Sequence, residues 1–363
     1  MNHTQFLSKH INYHKYAPFF IAKNIITFLR ELTQQIRPHI DTNILFLHAP
    51  KTAGSSFRKA AETYFTTQNT YYDYGKKSAQ THPKILELDY QNQDRFAAGT
   101  YIMNHAQFLS GHINYHKYAP FFMAKNIITF LREPSQRIRS NFEHYARHYN
   151  YKENFESFIQ DKKFSNLQSR VLKGLPASAY GFIGITEEYN TSIELINTYY
   201  KIDIKALSLN KNESKKTGQY QFTDAELFLI KQHNQDDIKL YSEAYELFLK
   251  QKQAIQKQRA LIRFGLLPIP PKQQLQKING WLTTYESSEV EELEVHINKI
   301  VVAKVTANEY SPWANERNIN RSGFIGFTYN FPKNIKHGDL IELVSKSTQE
   351  TLYSTEYNAK QDS

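Results

Sequence analysis

Residues 43–65 read NILFLHAPKTAGSSFRKAAETYF, and the fold class is inferred first from this stretch. It opens with a short apolar run that Pro50 ends, a pattern typical of a buried strand in a parallel sheet. The residues that follow place apolar side chains at helical spacing, at Phe57, Ala60, Ala61, Tyr64 and Phe65. The stretch therefore predicts a strand, a turn and a helix in direct succession.

The same alternation continues along the chain. Residues 126–131 (NIITFL) and 182–185 (FIGI) are further buried runs, and residues 134–149 and 192–199 show helical spacing. Strands that alternate with helices build a parallel sheet covered by helices. We therefore predict an α/β fold, with a P-loop-like parallel sheet flanked by helices, over residues 41–262.

A cluster of prolines marks a change of pattern toward the C-terminal end. Residues 264–271 read FGLLPIPP, and prolines at this density favour an extended spacer, so a linker is predicted over 263–277. Beyond it, short runs at 293–298 and 300–305 read as strands. Residues 278–363 are therefore predicted to form a small C-terminal β-sandwich accessory domain.

The N-terminal segment repeats a later one. Residues 1–37 match residues 103–139 at 31 of 37 positions, the differences cluster toward the end, and Pro38 then stands in place of Ser140. A parallel sheet has one position for the strand that both copies encode. We therefore predict that residues 1–40 are a degenerate partial duplicate without a catalytic role.

The composition excludes several kinds of site. The 363 residues include no cysteine, which excludes disulfides, thiolate zinc sites and cysteine nucleophiles. Lys and Arg number 45 against 35 Asp and Glu, and the formal charge of +10 favours anionic partners. A run of about 18 apolar residues is missing, so no transmembrane helix is predicted. We expect a cytoplasmic protein that contacts a membrane at most peripherally.

The turn after the first strand carries the strongest chemical signal. A helix N-terminus presents backbone amides to an anion, Gly54 permits close approach of the backbone, and Lys51 adds a positive charge. The pattern is not a Walker A motif, because Gly-x-x-x-x-Gly-Lys-Ser/Thr does not occur here. The alternative is an ordinary strand–turn–helix corner. The predicted anion-binding residues are Lys51, Thr52, Ala53, Gly54, Ser55 and Ser56.

A second basic motif follows the buried run at residues 126–131. Arg132 leaves the strand end, where ligands of open α/β sheets bind, and Ser140 lies eight residues further on. The two could hold one phosphate, Arg132 by its guanidinium and Ser140 by its hydroxyl. A solvated basic helix face is the alternative interpretation.

In this order and spacing, the motifs resemble those of a known family. Residues 50–56 resemble the 5′-phosphosulfate loop of sulfotransferases that use 3′-phosphoadenosine 5′-phosphosulfate (PAPS), and Arg132 with Ser140 resembles their 3′-phosphate site. The chain is most similar to carbohydrate sulfotransferases of the heparan sulfate 2-O-sulfotransferase type, and residues 41–262 would be the sulfotransferase domain. Three further stretches fit the family, at residues 110–115, 184–188 and 210–216.

The resemblance implies a reaction and a role for particular residues. PAPS would be the sulfuryl donor, the acceptor would be a sugar hydroxyl of a bacterial surface or secreted polysaccharide, and neither a metal nor nucleic acid would take part. His112 falls on the family's catalytic base, and histidine suits proton removal near neutral pH. Lys51 would stabilise charge on the leaving nucleotide. His105 and His116 are rivals for the base, with structural or solvated roles expected.

Two other functions stay open. A P-loop kinase would need a Walker A motif and an acidic magnesium ligand after a strand, and the sequence shows neither pattern. A non-catalytic glycan-binding protein with a degenerate transferase domain is disfavoured, because Lys51, His112, Arg132 and Ser140 are all present. In the C-terminal region, Trp313 could stack on a sugar or pack in the core.

Overall fold

The computed structural model of the chain describes residues 43–207, 219–268 and 276–358. From Ile44 onward, the described residues form one compact unit. The predicted duplicate over residues 1–40 and the basic stretch at 210–216 lie outside the described residues.

A five-stranded parallel sheet forms the centre of this unit. Its strands run in the spatial order β2-β3-β1-β4-β5, so the chain passes from β3 across β1 to β4. The strands are β1 (Ile44–Leu47), β2 (Thr70–Asp73), β3 (Phe108–Gly111), β4 (Ile127–Leu131) and β5 (Phe182–Ile185). The predicted α/β fold with a parallel sheet flanked by helices is confirmed, and two antiparallel sheets accompany it.

Helices cover both faces of the parallel sheet. In the described part of the chain the α-helices are α1 (Gly54–Phe65), α2 (Pro83–Ile85), α3 (Arg95–His105), α4 (Pro134–His148), α5 (Phe155–Gln160), α6 (Leu167–Leu172), α7 (Tyr189–Tyr200), α8 (Asp224–His233), α9 (Gln235–Gln256) and α10 (Pro312–Glu316). Pro134 begins α4, a position that proline favours, and the Glu133 carboxylate accepts hydrogen bonds from the first-turn amides.

Alternate residues of β1 enter two separate hydrophobic cores. Leu45 and Leu47 face one core, and Ile44 and Phe46 face the other, which contains residues of α1 and α7. Phe46 meets Phe57 of α1 edge to face, with ring centroids 4.8 Å apart. Because a buried phenylalanine replaced by alanine costs about 3–5 kcal/mol, this contact holds α1 firmly behind the β1 strand.

Two four-stranded antiparallel sheets form the C-terminal part. One has the order β10-β11-β7-β6 and the other β13-β12-β8-β9, and side chains from both sheets share one core. The first sheet contains β6 (Arg263–Leu266), β7 (Lys277–Thr283), β10 (Glu309–Tyr310) and β11 (Phe324–Asn330). The second contains β8 (Glu292–Ile297), β9 (Ile300–Thr306), β12 (Leu340–Ser345) and β13 (Thr351–Glu356).

The antiparallel sheets are joined to the α/β part by a shared core. Trp281, only 1% exposed, stacks on Trp313 with ring centroids 5.9 Å apart, and both lie in the core on one face of the parallel sheet. Of the two interpretations of Trp313, packing in the core is therefore the one observed. Arg263 of β6 is buried and donates to the backbone carbonyls of Ser178, Tyr180 and Gly181.

The segment predicted as a linker thus begins with a strand, β6, that the core requires. The division into segments 1–40, 41–262, 263–277 and 278–363 stays a prediction. Among the described residues, no helix combines the length and apolar character needed to span a membrane.

Candidate active site

The carboxyl edge of the parallel sheet brings together residues that are distant in sequence. His48, His112 and Arg132 follow directly after β1, β3 and β4. Leu47 pairs with Gly111 in register, so His48 and His112 occupy adjacent positions on neighbouring strands. Their ring centroids lie 4.6 Å apart. Ligands of open α/β sheets bind at this edge, where the strand order changes direction around β1.

The loop between β1 and α1 turns sharply into the helix. Lys51 and Ala53 have φ angles of 67° and 60°, a left-handed backbone that non-glycine residues rarely adopt. The Thr52 hydroxyl donates to the Ala49 carbonyl at 2.9 Å and fixes the turn. The first amide bonded back to Ala53 is that of Ser56, at 3.0 Å. The amides of the two residues before it therefore lie at the open end of α1, an arrangement that suits an anion.

Gly54 allows a histidine ring to pack directly against this loop. A Cβ atom at position 54 would lie 2.1 Å from Cδ2 of His48, so a larger residue would have to displace the ring. His48 is 6% exposed, and its Nδ1 shares a hydrogen bond with the Tyr74 hydroxyl at 2.9 Å. Burial is the main cause that lowers the pKa of His48 well below its usual value. His48 is therefore neutral at pH 7.

His112 stands at the same edge with its ring partly open to solvent. The ring contacts His48 and also Tyr74, whose ring centroid lies 4.8 Å away. Desolvation of its inner side, with a further contribution from the Arg58 guanidinium, lowers the pKa of His112 to about 4. At pH 7 the ring is neutral, which is the form that can accept a proton.

A buried ion pair anchors the segment that follows His112. Lys117 Nζ lies 2.6 Å from Oδ2 of Asp73 and 2.6 Å from Oδ2 of Asp89. The Tyr118 hydroxyl donates to Asp73 at 2.8 Å. Because breaking a buried pair would leave an uncompensated charge, this network ties the segment that follows His112 firmly to the end of β2.

The two rival histidines lie elsewhere. His105 ends α3 just before β3 begins, so it belongs to the amino edge of the sheet, opposite to His112. Its Nδ1 lies 2.8 Å from the Tyr101 carbonyl, and its ring stacks on Tyr101. His116 lies in a short 3-10 turn and packs on Gly174, where a Cβ atom would come within 2.4 Å of the ring.

Arg132 is held at the end of β4 with part of its guanidinium unsatisfied. Its backbone amide donates to Gln168 Oε1 at 2.8 Å, and Gln168 Nε2 donates to its carbonyl at 3.0 Å. Nη1 donates to the Lys51 carbonyl at 3.4 Å, and Nε lies 3.9 Å from Glu187 Oε1. Nε is buried without a hydrogen-bond acceptor. A buried N–H without an acceptor costs free energy, and an anionic ligand could supply the missing acceptor.

Cations crowd around the β1–α1 loop. Burial lowers the pKa of Lys51, Arg147 and Arg132 lower it further, and the Glu143 carboxylate opposes them in part. Lys51 in turn helps to lower the pKa of His144. Ser140 lies on α4 at a spacing that places it on the same helix face as His144 and Arg147. Positive groups in mutual repulsion are stabilised when an anion binds between them.

Arg137, on the same helix, serves the fold instead. It is fully buried, donates to the Phe164 carbonyl at 3.0 Å and to Asn234 Oδ1 at 3.3 Å, and lies 3.8 Å from Asp237. Burial lowers its pKa to about 10, so it keeps its charge at pH 7. It ties α4 to α9 and does not reach the loop.

The structure therefore brings the loop at 51–56, His112 and Arg132 to one edge, and it adds residues that sequence reasoning missed. His48 lies in the stretch quoted above, directly after the first predicted strand, and that position could have identified it as a site residue. The sequence around Tyr74 and Arg58 carries no motif that would have placed these residues in the site. Arg58 Cζ lies 5.2 Å from the centroid of the Tyr74 ring. Within the described ranges, no group of three or more His, Asp or Glu side chains could hold a metal ion.

Comparisons with known proteins add little to this geometry. No family model matches the chain, and no curated protein matches it. Among solved structures the chain is similar to mouse sulfotransferase SULT7A1 complexed with PAP, at 13% identity over 55% of this chain and 88% of that chain, with a TM-score of 0.33. This likeness is weak, so the chemistry of the site rests on its own residues.

Proposed function

We propose that this protein is a sulfotransferase that moves the sulfuryl group from PAPS to a hydroxyl group of a saccharide. One observation carries the proposal: a neutral histidine, a helix N-terminus with a lysine, and a buried arginine with an unpaired N–H meet at one sheet edge. A base beside two separate anion-binding positions suits a donor with two anionic groups and an acceptor that must lose a proton.

The two anion-binding positions correspond to the two anionic groups of PAPS, the 5′-phosphosulfate and the 3′-phosphate. The amides of Gly54 and Ser55, with the Lys51 ammonium, would hold the 5′-phosphosulfate in the manner of a P-loop. Arg132 would hold the 3′-phosphate with its unpaired Nε, and the Ser140 hydroxyl on α4 would add a donor. These side chains suit the donor because Lys51 and Arg132 are cations that repel each other in the free protein, and a bound anion would relieve that repulsion.

His112 would act as the general base. Its neutral ring would take the proton of the sugar hydroxyl as the hydroxyl oxygen attacks sulfur in line. The bond from sulfur to the bridging oxygen of the nucleotide breaks, and 3′-phosphoadenosine 5′-phosphate (PAP) leaves with the bonding electrons. Lys51 would stabilise the charge that grows on that oxygen. Bound anions raise the pKa of a nearby histidine, so His112 would become a stronger base once the donor is present.

The geometry favours this reaction over magnesium-dependent phosphoryl transfer. The carboxylate beside Arg132 is that of Glu187, and its oxygens already accept hydrogen bonds from the Glu133 amide at 3.1 Å and the Tyr241 hydroxyl at 3.1 Å. Burial also raises the pKa of Glu187, which weakens it as a ligand for a divalent cation. A polysaccharide acceptor and a cytoplasmic location stay predictions.

The proposal is tested by calorimetry followed by transfer assays. PAP should bind, 5′-AMP should bind more weakly because it lacks the 3′-phosphate, and labelled sulfate should pass from PAPS to at least one member of a panel of bacterial glycans. Tight binding of a glycan without any PAP binding would instead identify a non-catalytic glycan-binding protein. Hydrolysis of ATP in the presence of magnesium would support a kinase-like protein.

A further inference from the structure

The imidazole of His48 touches two parts of the proposed site at once. On one side, Cδ2 and Nε2 face Gly54 so closely that a Cβ atom there would lie 2.1 Å and 2.3 Å away. On another side, the ring meets that of His112 edge to face, at 4.6 Å and an angle of 64°. A single buried ring therefore separates the anion-binding loop from the proposed base.

We propose that His48 is a positioning residue that sets the distance between the donor loop and His112. The inference rests on the proposed function, since it concerns the geometry of that same site. It assigns His48 no proton transfer of its own, because the ring is enclosed and has no open path to an acceptor sugar.

The His48 ring is fixed by a hydrogen bond and by a stacked aromatic ring. Its Nδ1 shares the 2.9 Å hydrogen bond with the Tyr74 hydroxyl, and that hydroxyl shares another with Ser110 Oγ at 3.2 Å. The ring also stacks on Phe46, with centroids 5.5 Å apart and planes inclined by 20°. Ser110 belongs to β3, two residues before His112. The arrangement therefore links both histidines to the same pair of strands and leaves the ring little freedom to rotate.

Desolvation is the main reason that both rings are neutral, and the cations around them add to it. Arg58 acts on both histidines and Lys51 acts on His48, and each of these cations disfavours protonation. Tyr74, the titratable neighbour of both rings, is neutral because burial raises its pKa. A protonated His48 would repel a protonated His112, so a neutral His48 is what allows His112 to take up a proton during the reaction.

The experiment follows the imidazole of His112 by NMR, with PAP as the probe. In the unchanged protein, we expect PAP to raise the pKa of His112 by about one pH unit or more, the effect of an anion held within a few ångströms. In the variant His48→Ala, PAP should still bind with an affinity within about threefold, because the loop amides, Lys51 and Arg132 remain. The PAP-dependent rise in the pKa of His112 should fall to less than half, because the ring is no longer held beside the loop.

Two further variants sharpen this test. His48→Phe keeps an aromatic ring of similar shape, so it should retain most of the PAP-dependent rise in the pKa of His112. If circular dichroism shows that His48→Ala does not fold, the His48→Phe variant tests the positioning role in its place. If the phenylalanine variant loses the rise completely, the imidazole acts by its chemistry and the positioning role is wrong. An unchanged rise in a folded His48→Ala variant would also overturn it. His105→Ala, a change at the opposite edge, is the control and should alter nothing.

Activity then separates the two proposals. With the glycan that accepts sulfate in the panel, His48→Ala should lower kcat about 10²-fold, the effect of misplacing a reacting group by about 1 Å. If the unchanged protein transfers no sulfate from PAPS to any glycan, the proposed function fails, while the NMR titration still decides whether His48 holds His112 beside the loop.

Discussion

Replacing Arg132 by alanine removes the guanidinium that we assign to the 3′-phosphate. The side chain is 13% exposed, its Nε has no acceptor in the free protein, and its backbone is held independently by Gln168. Truncation should therefore leave the end of β4 in place. It removes one long hydrogen bond to the Lys51 carbonyl and the 3.9 Å contact with the Glu187 carboxylate. Because Glu187 keeps its hydrogen bonds from the Glu133 amide and the Tyr241 hydroxyl, the free energy of unfolding should fall by about 1 kcal/mol.

The loss in binding should be much larger than the loss in stability. Truncating one partner of a desolvated charge pair costs about 2–4 kcal/mol, which corresponds to an increase in Kd for PAP of about 30-fold to 1,000-fold. The effect depends on the 3′-phosphate. Binding of 5′-AMP should therefore weaken by only a few-fold, because that nucleotide lacks the group that Arg132 contacts.

Isothermal titration calorimetry with PAP and 5′-AMP measures both quantities, and the chain offers a matched control. Arg139 lies on the adjacent helix α4, pairs with Glu226 at 3.3 Å and packs over Phe155 at 4.4 Å. Arg139→Ala removes the same charge from the same region without touching the sheet edge. Its Kd for PAP should stay within about threefold of that of the unchanged protein.

Two outcomes would refute this reasoning. Equal losses for PAP and 5′-AMP would show that Arg132 does not contact the 3′-phosphate. An unchanged Kd for PAP in a folded Arg132→Ala protein would show that the unpaired Nε has no part in binding the donor, and the donor site would have to lie elsewhere.

The remaining predictions concern the loop, the base and the duplicated segment. Lys51→Ala should lower kcat by about 10²-fold or more in a folded protein, because the bridging oxygen loses its counter-charge, and retained turnover would remove Lys51 from the mechanism. His112→Ala should abolish transfer and leave the Kd for PAP within a few-fold; the assignment is wrong if His105→Ala is the inactive variant instead. As the pH falls, protonation removes the base, so kcat/KM for PAPS should fall with an apparent pKa of about 4, whereas an acid limb near the usual histidine value would show that desolvation and Arg58 do not lower the pKa of His112. Because buried His48 has a lowered pKa, the unfolded state binds more protons, and the free energy of unfolding should fall as the pH drops below about 6.5 in denaturant titrations. A protein that starts near Asp41 should keep sulfate transfer within a few-fold in the same assay, and a folded truncation that cannot bind PAP would show that the duplicate belongs to the site.

The local pattern of apolar residues predicted the strands and helices that are formed mainly by residues close together in the sequence. The apolar run and helical spacing at residues 43–65 correspond to β1 and α1, and the runs at 126–131 and 182–185 correspond to β4 and β5. The strands β2 and β3 were not predicted, because Thr70, Asp73 and Ser110 leave each of them with only two large apolar side chains, too few to stand out as a buried run. The strand at Arg263–Leu266 was hidden by the nearby prolines.

The arrangement of the site was decided by the tertiary structure. His48 and His112 are 64 positions apart in the sequence, and they touch because β1 and β3 are neighbours in register. Trp281 of β7 and Trp313 of α10 likewise pack together only because the antiparallel part and the parallel sheet share one core. Residue types and spacing determine which groups a strand end carries. Which strand ends become neighbours depends on hydrogen-bond ladders and core packing across the whole unit, and these non-local interactions leave no mark in any single stretch of sequence.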